Sequence, residues 1–394
     1  MTTSYQFPQG VPTSTHPTAS TWHCGDPFAE QRAAHDTGVL IDLRHLSVLH
    51  VAGEDAPSWL HSLLAQKVVD MPVLSPTHSE LRHAYILDAH GHICEECWVA
   101  RTPDGYFLAT PREHRDSLQE YLTSMVFWSN VTVTTTDDSV CAIVNTAATD
   151  TAATSQPLLS PAVSALLDSK HVITAQGCPR GIPTALLYIP PTTDCASLVN
   201  ELCATGLTTT GKWTWDALRC AAGLPEITTD MDDKSLPHEY NSVGEPDTGA
   251  GASVTKGCYR GQETVAKIHN VGLPPRRQIV LLLDGSSEVR PVPGTDLYAD
   301  ADYRKSVGRI GTVVDHWEYG PLALGLVRRT IEDSQELFWK TDEDAGKASI
   351  MGELSVHPDG HRAGREAVQS FRSSARHRNL SLIHISEPTR PLYI

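Results

Sequence analysis

Apolar residues in this chain fall into two periods that alternate along its length. Leu118, Tyr121, Leu122 and Met125 recur at i, i+3, i+4 and i+7, the spacing of one helix face. Trp59, Leu60, Leu63 and Leu64 follow Asp55 and Pro57, which predicts a short amphipathic helix with Asp55 as its N-cap. Residues 84–87 and 93–100 read as two strands joined by the tight turn Asp88-Ala89-His90-Gly91. Further strands are predicted at 106–109 and from Val131 onward, so helices and strands mix locally and no repeat is evident. Residues 148–160, rich in Thr, Ala and Ser, read as a surface loop or crossover before another αβ segment that runs to about 211. Thr214 is placed to cap a helix through Leu218 and Ala222, with Gly223 as its stop and Pro225 beyond. Residues 223–251 lack a regular pattern and are rich in acidic residues, Pro and Gly; long ordered loops of this kind are commonly functional. Past Pro274-Pro275 the pattern changes to short β-rich runs at 279–283, 307–314 and 322–327, separated by Asp-Gly and Gly-Pro turns. That texture predicts a small all-β barrel of about 80 residues.

Length and charge narrow the classes. The 394 residues suffice for two or three domains, each with its own core. A formal charge of −16 argues against nonspecific binding to nucleic acid or to anionic membranes. No apolar run approaches the roughly 20 residues needed to span a bilayer. The Ser-, Thr- and Pro-rich start lacks the pattern of a signal or transit peptide, and residues 1–26 are expected to be disordered. Nine irregularly spaced cysteines do not form a secreted disulfide framework, so reduced thiols in the cytoplasm are expected. The expected organisation is an α+β region over 27–275, a barrel over 276–356 and a tail over 357–394. From residue 362 on, the tail carries six Arg against two Glu. Its segment 380–391 resembles translated sequencing-adapter DNA and is expected to be non-native.

Three constellations carry candidate chemistry. His90, His92, Cys94 and Cys97 have the look of metal ligands. On a strand, however, Cys94 and Cys97 fall on opposite faces, and no second ligand pair completes a closed site. The expectation is a hairpin with packed cysteines and no metal. The acidic stretch 230–239, with Asp230, Asp232 and Glu239, offers acceptors for the N–H edge of a heterocycle; its alternative is a solvated turn. The third constellation is Lys256-Gly-Cys-Tyr-Arg-Gly-Gln-Glu263. Cys258 lies between the cations Lys256 and Arg260, which favour the reactive thiolate, and between Gly257 and Gly261, which permit tight turns. No histidine is tied to it by motif, so a protease-like nucleophile is not supported. A structural cysteine in a crowded turn is the alternative.

This motif, continuing through Thr264-Val-Ala-Lys-Ile-His269 and Pro274-Pro-Arg-Arg277, resembles the YgfZ-type folate-binding proteins. These are relatives of the aminomethyltransferase of glycine cleavage and of a mitochondrial iron–sulfur assembly factor. Leu218-Arg-Cys-Ala-Ala-Gly-Leu-Pro225 and the stretch 230–239 resemble the family's other signature, and the wording of the motif looks actinobacterial. The resemblance covers residues from about 35 to 350. It implies a three-part ring of two αβ units, one ferredoxin-like, and a C-terminal antiparallel barrel, with tetrahydrofolate in the central channel. Lys256 and Cys258 are implied as the functional pair, Lys256 stabilising the thiolate. Asp230, Asp232, Glu239, Tyr259, Arg260, Gln262 and Glu96 are expected around the folate. The implied role is assembly or repair of iron–sulfur enzymes, linked to tRNA modification. Folate and client or assembly proteins are the implied partners, with no direct contact to nucleic acid or membrane. A folate-dependent one-carbon transferase or demethylase, and a non-catalytic scaffold, are the alternatives. Three departures from aminomethyltransferases favour the assembly reading: Glu95 and Glu96 replace paired aspartates, Arg180-Gly-Ile replaces an acidic run, and Cys258 is added.

Overall fold

The computed structural model describes residues 7–14, 19–75, 80–149, 158–270, 272–285 and 289–356. Its framework is two five-stranded sheets and a closed six-stranded barrel. The first sheet has the order Ile173–Gly177, Thr184–Ile189, Ser139–Val144, Val39–Asp42, Thr208–Thr210. Its pairs are antiparallel except the last. The second sheet has the order Arg82–Leu87, Ile93–Thr102, Gly105–Pro111, Leu46–Ala52, Thr132–Thr135, antiparallel throughout. The barrel runs Arg276–Leu283, Gly320–Arg328, Ser306–His316, Asp296–Tyr298, Leu337–Lys340, Ala345–Ile350 and closes on the first strand. The tail over 357–394 and most of the 148–160 loop lie outside the described residues.

Each sheet carries helices on one face because the helical apolar stripes need a flat apolar partner. Val163 and Leu167 of helix Pro161–Ser169, and Leu198, Val199 and Leu202 of helix Cys195–Ala204, pack with Leu40, Ile143 and Leu187 of the first sheet. Trp59 and Leu60 of helix Ala56–Leu63, and Leu118 and Leu122 of helix Arg115–Ser124, pack with Leu49, Ala84, Cys97 and Val99 of the second. The remaining faces meet each other: Val39 and Ile41 share a core with Val48, Ala100 and Phe107. Alternation along the strands thus gives each sheet two buried faces, one for its helices and one for the centre of the protein.

Helix Lys212–Ala221 joins the sheets to the barrel. Its Trp215 and Leu218 enter the shared core, while Ala217 and Cys220 pack on Val280, Val314, Leu322 and Leu324 of the barrel. A further core brings Tyr85, Leu87 and Ile93 of the second sheet together with Ile227, Met231, Tyr240 and the barrel residue Leu326. The expected mixed α+β architecture, with αβ sheets followed by an antiparallel barrel, is the one observed.

Three local expectations are corrected. The central helix is capped at Gly211, not Thr214; Thr214 is buried inside it and accepts a hydrogen bond from Thr210 Oγ1 at 2.6 Å. A Cβ at Gly211 would come within 2.3 Å of the Thr21 carbonyl, so a close backbone approach explains the glycine. The same approach bears on the second correction. Residues 7–14 and 19–26 take part in the fold, with Val11–Pro12 pairing with Thr21–His23. Phe7 is buried, and Thr21 donates from its N–H and its hydroxyl to the buried Asp42 carboxylate, each at 2.8 Å. Composition pointed to disorder; two long-range anchors overrule it. Third, Asp55 occupies the N-cap position of its helix but does not cap it; its Oδ2 accepts the Asn130 N–H at 2.7 Å.

Candidate functional site

A small cavity of about 30 Å³, opening to solvent, lies where the two sheets, the central helix and the 223–230 segment converge. Its second-sheet wall follows from strand alternation. Glu96 and Trp98 point to one face of Ile93–Thr102, directly opposite Tyr85 and His83 in register. Leu186 and Thr184 come from the first sheet, and Trp215 and Arg219 from the central helix one turn apart. Leu224, Pro225 and Glu226 close the far side, with His45 beside them.

The polar groups of this cavity are fixed before any ligand arrives. Glu96 Oε1 is 2.7 Å from His83 Nε2, and Glu96 Oε2 accepts the Ile227 N–H at 2.9 Å. His83 also stacks on Trp98, with ring centroids 4.5 Å apart and 25° between planes. Beneath lies an ionic network. Lys212 Nζ donates to Asp216 and Glu226 at 2.8 and 2.9 Å, and Arg219 pairs with Asp216, Glu226 and Asp230 at 2.8, 3.2 and 2.7 Å. Burial opposes the charge on Glu226, but Lys212 and Arg219 outweigh it and hold the carboxyl well below its usual range. Burial likewise opposes the charge on Lys212, and Asp216 and Glu226 reverse that effect. His45 lies 3.7 Å from Glu226, and burial, then the Lys212 charge, push its pKa down. His45 Nδ1 is buried with no hydrogen-bond partner among the described residues. Two indole rings, the Glu96 carboxylate and an unsatisfied imidazole nitrogen thus give this small opening aromatic faces and polar edges.

The site residues expected from sequence divide into three groups. Glu96 is on the cavity wall. Its neighbour Glu95 points the other way and pairs with His114 at 2.8 Å, a bond that raises the His114 pKa. Asp230, Asp232 and Glu239 do not line the cavity, because the fold uses their carboxylates itself. Asp230 joins Arg219 to the Thr312 N–H and the Glu226 N–H, at 2.7 and 2.8 Å. Asp232 and Glu239 both receive the fork of Arg276, at 2.6 to 3.0 Å, and Glu239 is fully buried.

Residues 256–263 form a separate surface feature and contribute nothing to the cavity wall. The buried Lys256 ammonium donates to the carbonyls of His61 and, at 2.5 Å, Leu64, at the C-terminal end of helix Ala56–Leu63. It also sits 5.0 Å from the centre of the Tyr259 ring. Burial pulls its pKa down to about 8. Cys258 and Arg260 are exposed. Lys256 and Cys258 therefore occupy different environments: the ammonium serves a helix end, and the thiol faces solvent. Tyr259 is buried and its hydroxyl donates to the Ser253 carbonyl at 2.8 Å, while Gln262 Nε2 donates to the Lys256 carbonyl at 3.2 Å. Gly261 has φ +82°, and a Cβ there would lie 2.5 Å from the Asp88 carbonyl. The motif is thus seated on the Asp88–Gly91 turn of the second sheet. On that sheet Cys94 is exposed and Cys97 is buried.

Sequence reasoning missed Trp98, Trp215, His45, Lys212 and Glu226. The spacing of Lys212, Asp216 and Arg219 at i, i+4 and i+7 was a readable signal of one charged helix face. The convergence of the others was not local.

The fold is that of the aminomethyltransferase-like proteins. The structure of the glycine cleavage system aminomethyltransferase T from Bartonella henselae matches it with a TM-score of 0.68, covering 88% of this chain and 94% of that one at 15% identity. Over sequence, the chain is similar to the tRNA-modifying protein YgfZ of Klebsiella pneumoniae (strain 342), 24% identical over 319 residues, 79% of this chain and 91% of that protein. The aminomethyltransferase of Chromobacterium violaceum is 22% identical over 283 residues, 68% of this chain and 73% of its own length. No family model matches. The resemblance to YgfZ-type proteins carried by the cysteine motif therefore extends over most of the chain. Among the described residues no helix is long and apolar enough to cross a membrane.

Proposed function

We propose that this chain is a cytoplasmic tetrahydrofolate-binding protein that supports iron–sulfur enzymes, with a link to tRNA modification. The observation that carries the folate part is the central cavity. Trp98 and Trp215 offer faces for a pterin, and Glu96 offers an acceptor for its N–H edge. His45 Nδ1 offers a further polar contact that the protein leaves unmade. Folate itself would supply a carrier for one-carbon units; the protein's residues bind and orient it. The names of the relatives support the link to tRNA modification. The exposed thiol of Cys258, on a rigid seat at the protein surface, supports a role toward client proteins rather than toward the buried ligand.

Titration of purified protein with tetrahydrofolate, read by tryptophan fluorescence and calorimetry, tests the first part. Glu96→Ala and Trp215→Ala are expected to weaken binding at least tenfold; unchanged affinity in both would remove the cavity from the proposal. For the second part, Cys258→Ala should fail to restore iron–sulfur enzyme activity in a deletion strain while folding normally. Full restoration would leave Cys258 as a structural residue.

The fold and the Chromobacterium relative favour one alternative, a folate-dependent one-carbon transferase. Formation of methylenetetrahydrofolate from an aminomethyl or N-methyl donor would establish it. Against it stand the departures in sequence, Glu95 and Glu96 in place of paired aspartates and the added Cys258.

A further inference from the structure

Beside the central cavity the structure holds a cation and a hydroxyl that the folate contacts named above leave unused. Arg180 lies in the turn Pro179–Gly181, whose first residue lines the cavity. Its backbone is left-handed, φ 53° and ψ 33°, a conformation ordinarily left to Gly or Asn. The turn is held there by Gly249, where a Cβ would come 2.9 Å from Pro179 Cα and 3.3 Å from the Arg180 nitrogen. Arg180 Nη2 donates to the carbonyl of the buried Tyr240. No carboxylate among the described residues pairs with the guanidinium. Burial accordingly disfavours its charge.

Tyr85 is the second member. It is fully buried, and its hydroxyl makes no well-formed hydrogen bond to a described residue, with the Ser242 hydroxyl its near polar neighbour. Gly251 permits the ring to be covered, since a Cβ there would lie 2.4 Å from it. Burial raises the Tyr85 pKa, so the phenol is a neutral donor, and it feels the Arg180 charge. In register it stands opposite Glu96, on the sheet face that forms the cavity wall.

We propose that Arg180 and Tyr85 form a receptor for a carboxylate entering beside the central cavity. A partly buried guanidinium without a carboxylate partner and a buried hydroxyl without a well-formed hydrogen bond are each unfavourable alone. One carboxylate satisfies both, taking charge-assisted bonds from the planar fork and one from the phenol. A strained backbone that presents such a side chain marks a site where the surrounding structure supports the strain. The carboxylate comes either from a small free acid or from the glutamate part of tetrahydrofolate. The second source rests on the folate reading above.

The test is thermal unfolding of the full chain at constant ionic strength in formate, acetate or chloride. The midpoint of the wild type is expected to rise with formate and acetate relative to chloride. Arg180→Met should lose that rise, Tyr85→Phe should reduce it, and Arg180→Lys, which keeps the charge but not the fork, should retain part of it. No carboxylate-specific rise in the wild type, or an equal rise in Arg180→Met, overturns the proposal. If Arg180→Met does not fold, Tyr85→Phe and Arg180→Lys decide, and an undiminished rise in both overturns it. A second arm compares tetrahydrofolate with tetrahydrobiopterin, which lacks the glutamate. At least tenfold weaker tetrahydrofolate binding in Arg180→Lys, with tetrahydrobiopterin unaffected, assigns the carboxylate to the folate. A wild type that shows the formate effect yet binds no tetrahydrofolate supports the receptor and overturns the folate reading.

Discussion

Lys256 shows how far a side chain's surroundings can redirect a sequence expectation. In the sequence it is a cation two residues from a thiol; in the fold it is a buried donor to the end of a helix. Because burial lowers its pKa from 10.5 to about 8, the folded state releases this proton earlier than the unfolded state does. Below about pH 8 both states are protonated and the cost of burying the charge is present in full. Between about pH 8 and 10.5 the unfolded state binds more protons, so stability rises with pH. Lys256→Met should remove this rise, as read from urea midpoints at pH 7, 9 and 10.5. The cysteines give a second prediction at this scale. Brief alkylation of the native protein should modify the exposed Cys94, Cys178 and Cys258 and spare the buried Cys97, Cys141 and Cys220. Mass spectrometry of the digest reads this directly, and protection of Cys258 would contradict its surface position.

Elements meet at two contacts whose disruption should be measurable. Gly261 seats the cysteine motif on the Asp88–Gly91 turn, and its φ of +82° and its 2.5 Å approach to the Asp88 carbonyl leave no room for a side chain. Gly261→Ala should cost about 2 kcal/mol or more in denaturant unfolding, while Gly257→Ala, in open space, should cost less. Arg276 is the other contact, joining the first barrel strand to Asp232 and Glu239 of the preceding loop. Removing it would leave the fully buried Glu239 without a counter-ion, so Arg276→Ala should destabilise by about 3–5 kcal/mol. The pH dependence has a definite sign. Burial opposes the charge on Asp232, but Arg276 lowers its pKa from 3.8 to about 2. Its contribution is therefore complete above about pH 4 and lost as pH falls toward 2. Asp232→Asn should remove that part of the acid dependence.

In the assembled chain, the cavity belongs to no single unit. Its wall takes residues from both sheets, the central helix and the loop before the barrel. A ligand bound there should stabilise all of them together. Tetrahydrofolate at 100 times its dissociation constant is expected to add about 2.7 kcal/mol to global unfolding. Calorimetry should show the gain in the transition of the full chain; a gain confined to an early sub-transition would place the ligand on one unit instead.

Elements whose order is local were legible along the chain. Apolar periodicity at 118–125 and alternation at 84–100 specified helix Arg115–Ser124 and the Arg82–Leu87, Ile93–Thr102 hairpin, because side-chain direction follows backbone period. The Gly-Pro and Asp-Gly punctuation past residue 275 specified an all-β unit, and the cysteine motif carried the resemblance. What the polar residues do was settled only by packing between distant segments. Asp230, Asp232 and Glu239 read as free acceptors along the chain, yet Arg219 and Arg276 arrive from other elements and occupy them. His45, Trp98 and Trp215 carry no mark in sequence and meet only when both sheets and the central helix close around one space. Periodicity encodes which face of an element is buried; which charge lies across from it depends on contacts between distant parts of the chain, and those contacts made the cavity.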